Sequence, residues 1–158
     1  MTKKSWVRSS FLLSLACLVL CASVLSHSGA TKKSVEFDHT TVLVRDLQKS
    51  ADFYEQVFDL ERISEPFKDG KHVWFRVGGH EQLHVVGGAV DAVQQGIDVH
   101  FAFRVASLTD FIAHLDQMQV QYRNFKGDGK VTLRSDGVRQ IYLQDPDGYW
   151  IEVNDDKF

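Results

Sequence analysis

A chain of 158 residues with 18 Lys and Arg against 21 Asp and Glu carries a formal net charge of −3, and 44 % of it is apolar, as in ordinary globular proteins. Beyond residue 30 the chain keeps all 21 acids but loses Lys3, Lys4 and Arg8, so that segment has a net charge of about −6 and no basic run, a poor match for nucleic acid. Both cysteines, Cys17 and Cys21, also precede residue 30, which excludes disulfides, cysteine nucleophiles and thiolate ligands from the remainder.

Residues 1–30 read as a signal peptide. Lys3, Lys4 and Arg8 supply a basic start, Phe11 to Leu25 an apolar run, and Ser28-Gly29-Ala30 the small residues a signal peptidase needs. A membrane anchor needs about 20 apolar residues, more than this run offers. A lipoprotein cysteine at position 17 or 21 is a weaker alternative to cleavage. The expectation is an exported protein, periplasmic or secreted, with one domain over residues 31–158.

Within that domain Val35 to Val44 alternates as a strand, with His39, Thr41 and Leu43 on one face and Thr40, Val42 and Val44 on the other. Asp46 can cap a helix to about Phe58, whose Leu47, Ala51, Tyr54 and Phe58 form an apolar stripe. Leu60 to Ser64 is a short strand, and 67–71 a turn. His72 to Val77 and Gln82 to Val86 are strands joined by a hairpin at Gly78-Gly79, and 87–96 is a linker. The pattern then restarts. Ile97 to Val105 is a strand with His100, Ala102 and Arg104 on one face, and Ser107 caps a helix through Met118 with Asp110 as a capping-box partner. Val120 to Arg123 is a strand, 124–131 a loop, and Val138 to Gln144 a strand. Asp145-Pro146-Asp147-Gly148 is a tight turn feeding a final strand, where Trp150 and Glu152 face one way and Ile151 and Val153 the other.

The order is strand, helix, three strands, twice: an α+β fold of two βαβββ modules forming a curved mixed sheet. His39 and His100 begin equivalent strands, with valines five residues on (Val44, Val105) and leucines eight on (Leu47, Leu108). The last strands of the two modules carry His84 and Glu152. Each of the four alternates with apolar neighbours, so one face of each strand packs on helices and the other presents the polar group. If the half-sheets curl together, three imidazoles and a carboxylate meet around a central cavity, a donor set for a divalent Zn, Ni, Co, Mn or Fe ion. His72, His80 and His114 sit at hairpin or helix positions and read as peripheral.

His39-Thr40-Thr41-Val42-Leu43-Val44-Arg45-Asp46-Leu47 through Phe53-Tyr54, with the closing Asp145-Pro146-Asp147-Gly148 to Glu152, resembles the vicinal oxygen chelate superfamily, the glyoxalase/bleomycin-resistance/extradiol-dioxygenase fold. The resemblance spans Val35 to Val153. It implies metal ligands at His39, His84, His100 and Glu152. Closest in motif is glyoxalase I, the lactoylglutathione lyase. That implies isomerisation through a metal-stabilised enediolate, with Glu152 moving the proton between adjacent carbons. His84 stands where that enzyme has a carboxylate or amide. Leu43 and Gly88 stand where it has an arginine and an asparagine that hold glutathione, so a different small oxygenated substrate is expected. A rival is an extradiol-type Fe(II) dioxygenase with His39, His100 and Glu152 as its triad and Tyr142 ten residues before Glu152; the upstream histidine of that signature is missing at Leu133, Arg134 and Ser135. A third reading is a small-ligand binding protein. Arg104, Tyr142 and Trp150 are the candidate substrate contacts. The family commonly forms homodimers, and its sites can be shared between subunits.

Overall fold

Alternation of apolar and polar residues along the strands produces two four-stranded sheets, one in each module, in the computed structural model, which describes residues 35–157. The expected leader lies outside them. The first module contains β1 (His39–Val44), α1 (Leu47–Phe58), β2 (Arg62–Ile63), β3 (His72–Val77) and β4 (Glu81–Gly87). The second contains β5 (His100–Arg104), α2 (Leu108–Gln117), β6 (Thr132–Leu133), β7 (Arg139–Gln144) and β8 (Trp150–Asn154). The strand orders are β1-β4-β3-β2 and β5-β8-β7-β6, so the repeat holds at the level of topology. In each sheet the outer pair, β1 with β4 and β5 with β8, is parallel and the rest is antiparallel.

The helices begin at the expected caps. Asp46 Oδ1 accepts the Lys49 amide at 3.0 Å, and Ser107 Oγ accepts the Asp110 amide at 3.2 Å. Their apolar stripes cover one face of each sheet: Ala51, Tyr54 and Val57 from α1 and Leu108 and Leu115 from α2 join Val42, Val44, Leu83, Val85, Ile151 and Val153 in the core. The opposite sheet faces carry the polar residues. This division follows from the period of two, because a slip of one residue would turn every polar group inward.

Three elements differ from the sequence reading. Residues 120–123 form a single bridge, Arg123 to Tyr142, rather than a strand. The strand partner of β7 is instead β6, which lies just past the expected 124–131 loop, with Thr132 opposite Gln140. The strand expected over 97–105 is likewise shorter, His100–Arg104.

The 145–148 turn is a structural joint between the modules. Gly148 N donates to Asp145 O at 3.1 Å, and Gly148 has φ +96°. A Cβ there would also stand 2.8 Å from the Val93 carbonyl oxygen, so both backbone angle and space call for glycine. Asp145 accepts the Asp147 and Tyr149 amides at 2.9 Å each and the Tyr54 hydroxyl at 2.8 Å. Asp147 accepts the Arg45 side chain at 2.8 Å, the Arg45 amide at 3.0 Å and the Ser50 hydroxyl at 2.9 Å. Helix α1 is thereby pinned to the second module, and Phe58 packs on Phe103 with ring centroids 4.7 Å apart.

Candidate metal centre

The open face of the first sheet carries His39 on β1, His84 on β4 and Trp74 on β3. Trp74 and His84 are direct cross-strand partners, and Thr41 faces His84 on the other side, which sets His39 one pleat away. The three rings form a stack: His39 on His84 with centroids 4.2 Å apart and 17° between planes, and His84 on Trp74 at 3.8 Å and 4°. Each imidazole is held through one nitrogen. His39 Nδ1 lies 2.5 Å from Asp38 Oδ2, and His84 Nε2 lies 2.9 Å from Gln82 Oε1. An acidic or amide oxygen accepts, so those nitrogens carry the hydrogen and the opposite ones, His39 Nε2 and His84 Nδ1, present lone pairs. Burial, followed by the neighbouring His39, pushes the His84 pKa below the ordinary imidazole value, keeping it neutral and able to ligate.

The open face of the second sheet carries the other pair. Glu152 Oε2 accepts the Tyr142 hydroxyl at 2.6 Å, and Oε1 accepts the Asn154 side-chain Nδ2–H at 2.8 Å. Gln140 in turn donates to the Tyr142 oxygen. Burial and then the Glu152 carboxylate push the Tyr142 pKa far upward, so its hydroxyl stays a donor. His100 Nδ1 sits 2.7 Å from the Ile97 carbonyl, which requires Nδ1–H and leaves Nε2 facing Glu152 Oε2 at 3.3 Å. An anchored second nitrogen is the usual support of a metal-binding histidine.

The four expected ligands therefore stand as two pairs on two sheets. Among the described residues no group of three or more His, Cys, Asp or Glu side chains could hold one ion. The donor chemistry nevertheless fits a divalent cation. His100 Nε2 and Glu152 Oε2 face each other 3.3 Å apart, a pair of donor atoms that a proton or a cation can bridge. The stacked pair is less ready, because nearly parallel rings cannot both aim an in-plane lone pair at one point. His39, 43 % exposed at its side chain, is the ring free to swing out of the stack.

The other candidates divide. Tyr142 is buried and orients Glu152. Trp150 is half-buried, donates from Nε1 to the Gln95 carbonyl at 3.2 Å, and lines a cleft with Arg123 and Tyr142. Arg104 faces the same side two residues along, opposite Asn154, in a cleft with Asp155 and Asp156. Sequence reasoning passed over Asp38, Gln82, Trp74 and Asn154, although each lies next to or two residues from a named ligand, or in a paired strand. It also passed over Arg123, which was read only as a strand end.

Residues 36–153 match the model of the Glyoxalase/Bleomycin resistance protein/Dioxygenase superfamily. The chain belongs to this superfamily. It is 31 % identical over 121 residues to the uncharacterised protein YwbC of Bacillus subtilis (strain 168), covering 73 % of this chain and 93 % of YwbC. It is 25 % identical over 149 residues to a lactoylglutathione lyase of Pseudomonas putida, covering 74 % and 83 % of the two chains. Among solved structures the oxidase ChaP-H2 superposes with a TM-score of 0.65 at 20 % identity, over 79 % of this chain and 96 % of that one. These similarities agree with the repeated βαβββ architecture and with the opening and closing motifs. The superfamily hosts several chemistries on one scaffold, so the activity must be argued from the site.

Proposed function

We propose that this chain is a divalent-metal-dependent enzyme of the glyoxalase-like superfamily, an isomerase or lyase acting on a small oxygenated substrate. Its centre is completed across a homodimer: His39 and His84 come from one protomer, and His100 and Glu152 from the other. The observation that carries the reading is the Glu152 arrangement. Both its oxygens are held by donors on rigid strands, and a histidine with an anchored second nitrogen stands beside it. A site on strands, braced this way, keeps its geometry better than one on loops. The pairwise separation of the ligands within one chain supports the shared centre, and members of the superfamily are typically metal dependent.

When bound, the ion would supply positive charge to stabilise negative charge developing on two adjacent substrate oxygens. The remaining work belongs to the chain. Glu152 accepts a proton from one carbon and returns it to the neighbouring one, a 1,2-transfer with no net change in redox state. Tyr142 and Asn154 hold the carboxylate in place, and the raised Tyr142 pKa keeps that hydroxyl from competing for the substrate proton. Gly88 and Leu43, in place of glutathione-holding residues, favour a substrate other than a glutathione adduct. We also propose export after removal of residues 1–30.

Elemental analysis of the purified dimer, with oxygen uptake followed in parallel, tests the reading. Bound Zn, Ni, Co or Mn without oxygen consumption is expected, and most of the metal should be lost in Glu152→Gln. Fe(II)-dependent oxygen uptake with a catechol would favour the dioxygenase chemistry instead. A metal-free protein indifferent to added ions would leave a binding role.

A further inference from the structure

The bridge between Arg123 and Tyr142 places Arg123 in a cross-strand row with Tyr142 and Glu152. Side chains in such a row share one face, and neighbouring strands are about 4.8 Å apart, so Arg123 stands roughly 10 Å from the Glu152 backbone. Its guanidinium carbon lies over the Trp150 ring, 4.9 Å from the centroid. Its Nε is buried and has no hydrogen-bond partner. That is a costly condition for a charged donor, and since Nε itself is sealed off, a ligand in the cleft would meet the terminal guanidinium nitrogens. Gly127, at φ +80°, makes room: a Cβ there would come within 2.7 Å of Arg123 Nη1. Asn124 keeps the glycine loop closed by accepting the Gly127 amide at 2.7 Å and the Asp128 amide at 3.1 Å.

Arg123, Trp150 and Tyr142 line one cleft of about 400 Å³, together with Gln121, Tyr122 and Gln144. No acidic residue lines it. This stands out in a domain whose net charge is about −6, and it leaves one guanidinium as the only charged group among the lining residues. A planar guanidinium held over an indole face has restricted freedom, which favours a two-pronged grip on an oxyanion.

We propose that Arg123 and Trp150 form an oxyanion-binding subsite that fixes the acidic end of the substrate in the cleft beside Glu152. The substrate is therefore a small acid, carrying a carboxylate or phosphate a few atoms from its reacting carbons. This rests on the reading of Glu152 as the reacting carboxylate only for the word substrate; the anion site itself is independent of it. Tyr142, between the two, links them: its hydroxyl donates to Glu152 and the same residue lines the cleft.

The test is a titration of the purified protein with malonate and with inorganic phosphate, using malonamide as the neutral control. The readout is the Arg123 Nε–H and Trp150 Nε1–H resonances. Saturable shifts with at least one anion and none with malonamide are expected, and the anion bound more tightly names the acidic group. Arg123→Met should weaken that binding at least roughly tenfold. Should that variant fail to fold, Arg123→Lys carries the test: it keeps the charge but loses the fork, so weaker binding is expected and unchanged binding refutes the subsite. Absence of saturable shifts, shifts that survive Arg123→Met, or equal shifts with malonamide would overturn the proposal. Glu152→Gln separates the two claims, because it should retain anion binding while losing metal. Anion binding with unchanged metal content would refute the metal centre and leave the subsite standing.

Discussion

Asp147 offers the sharpest test of how the modules are held together. Its carboxylate is 3 % exposed, and it accepts hydrogen bonds from the Arg45 side chain, the Arg45 amide and the Ser50 hydroxyl. The Arg45 side chain is 46 % exposed, so that ion pair deserves a discount for solvent, to at most about 1 kcal/mol. Ser50 is fully buried, and losing its acceptor costs about 1–3 kcal/mol. Asp147→Ala should therefore destabilise by roughly 3 kcal/mol, and Asp147→Asn, which keeps partners for both neighbours but not the charge, by about 1 kcal/mol. At about 4 °C per kcal/mol for a domain of this size, the alanine variant should melt roughly 12 °C lower.

The pH dependence has a definite sign. Burial raises the Asp147 pKa, but the bonds from Arg45 and Ser50 outweigh it, and the net shift is downward. The unfolded chain then binds more protons than the folded one, so stability rises with pH through this window. The contribution is complete above the unfolded value of about 4 and disappears as pH falls through the folded value. Asp145 runs the other way, because burial carries its pKa upward despite the Tyr54 hydroxyl and the backbone amides. Urea unfolding of wild type and Asp147→Asn between pH 3 and 7 should show a gap at neutral pH that narrows in acid. A gap equally wide at pH 3, or no gap at pH 7, would refute the reasoning.

Three further outcomes follow from the site. Tyr142→Phe removes the donor to Glu152 Oε2 and should lower metal affinity or turnover by about 10- to 100-fold while leaving the far-ultraviolet spectrum unchanged; unaltered affinity and turnover would show that the carboxylate needs no such support. His84 should titrate below the usual imidazole value of about 6.5 in NMR. Because its folded pKa is depressed, stability should fall as pH drops below that value. A midpoint at or above 6.5 would contradict the burial argument. Trp74→Ala removes one wall of the ring stack, and the His84 midpoint should move back toward the exposed value if desolvation sets it.

The faces were legible in the sequence because a strand allows only two. His84, His100 and Glu152 each stand between apolar residues and His39 begins a strand that continues in alternation with Val42 and Val44, and the structure puts all four on open sheet faces. Tyr142 beside Glu152 was harder to read, since ten residues of separation become direct contact only when β7 and β8 pair across the turn. Arg123 was misread for the same reason: a short apolar-polar stretch looks like a strand, yet the neighbouring edge of β7 pairs with Thr132 and Leu133. The aspartates of the closing motif looked like turn residues, and they are. Their second use, clamping Arg45, Ser50 and Tyr54, depends on packing between modules some 90–100 residues apart. Nor does alternation say whether two sheets close on each other within one chain or across two.

Co-expression of His39→Ala and Glu152→Gln, each metal-poor alone, decides that last point. In a randomly mixed population half of the dimers contain one chain of each kind, and in a shared site one of their two centres is built only from intact residues. The mixture should then recover about a quarter of the wild-type metal content. Recovery of nothing, from chains shown to form mixed dimers, would contradict a centre built by two protomers.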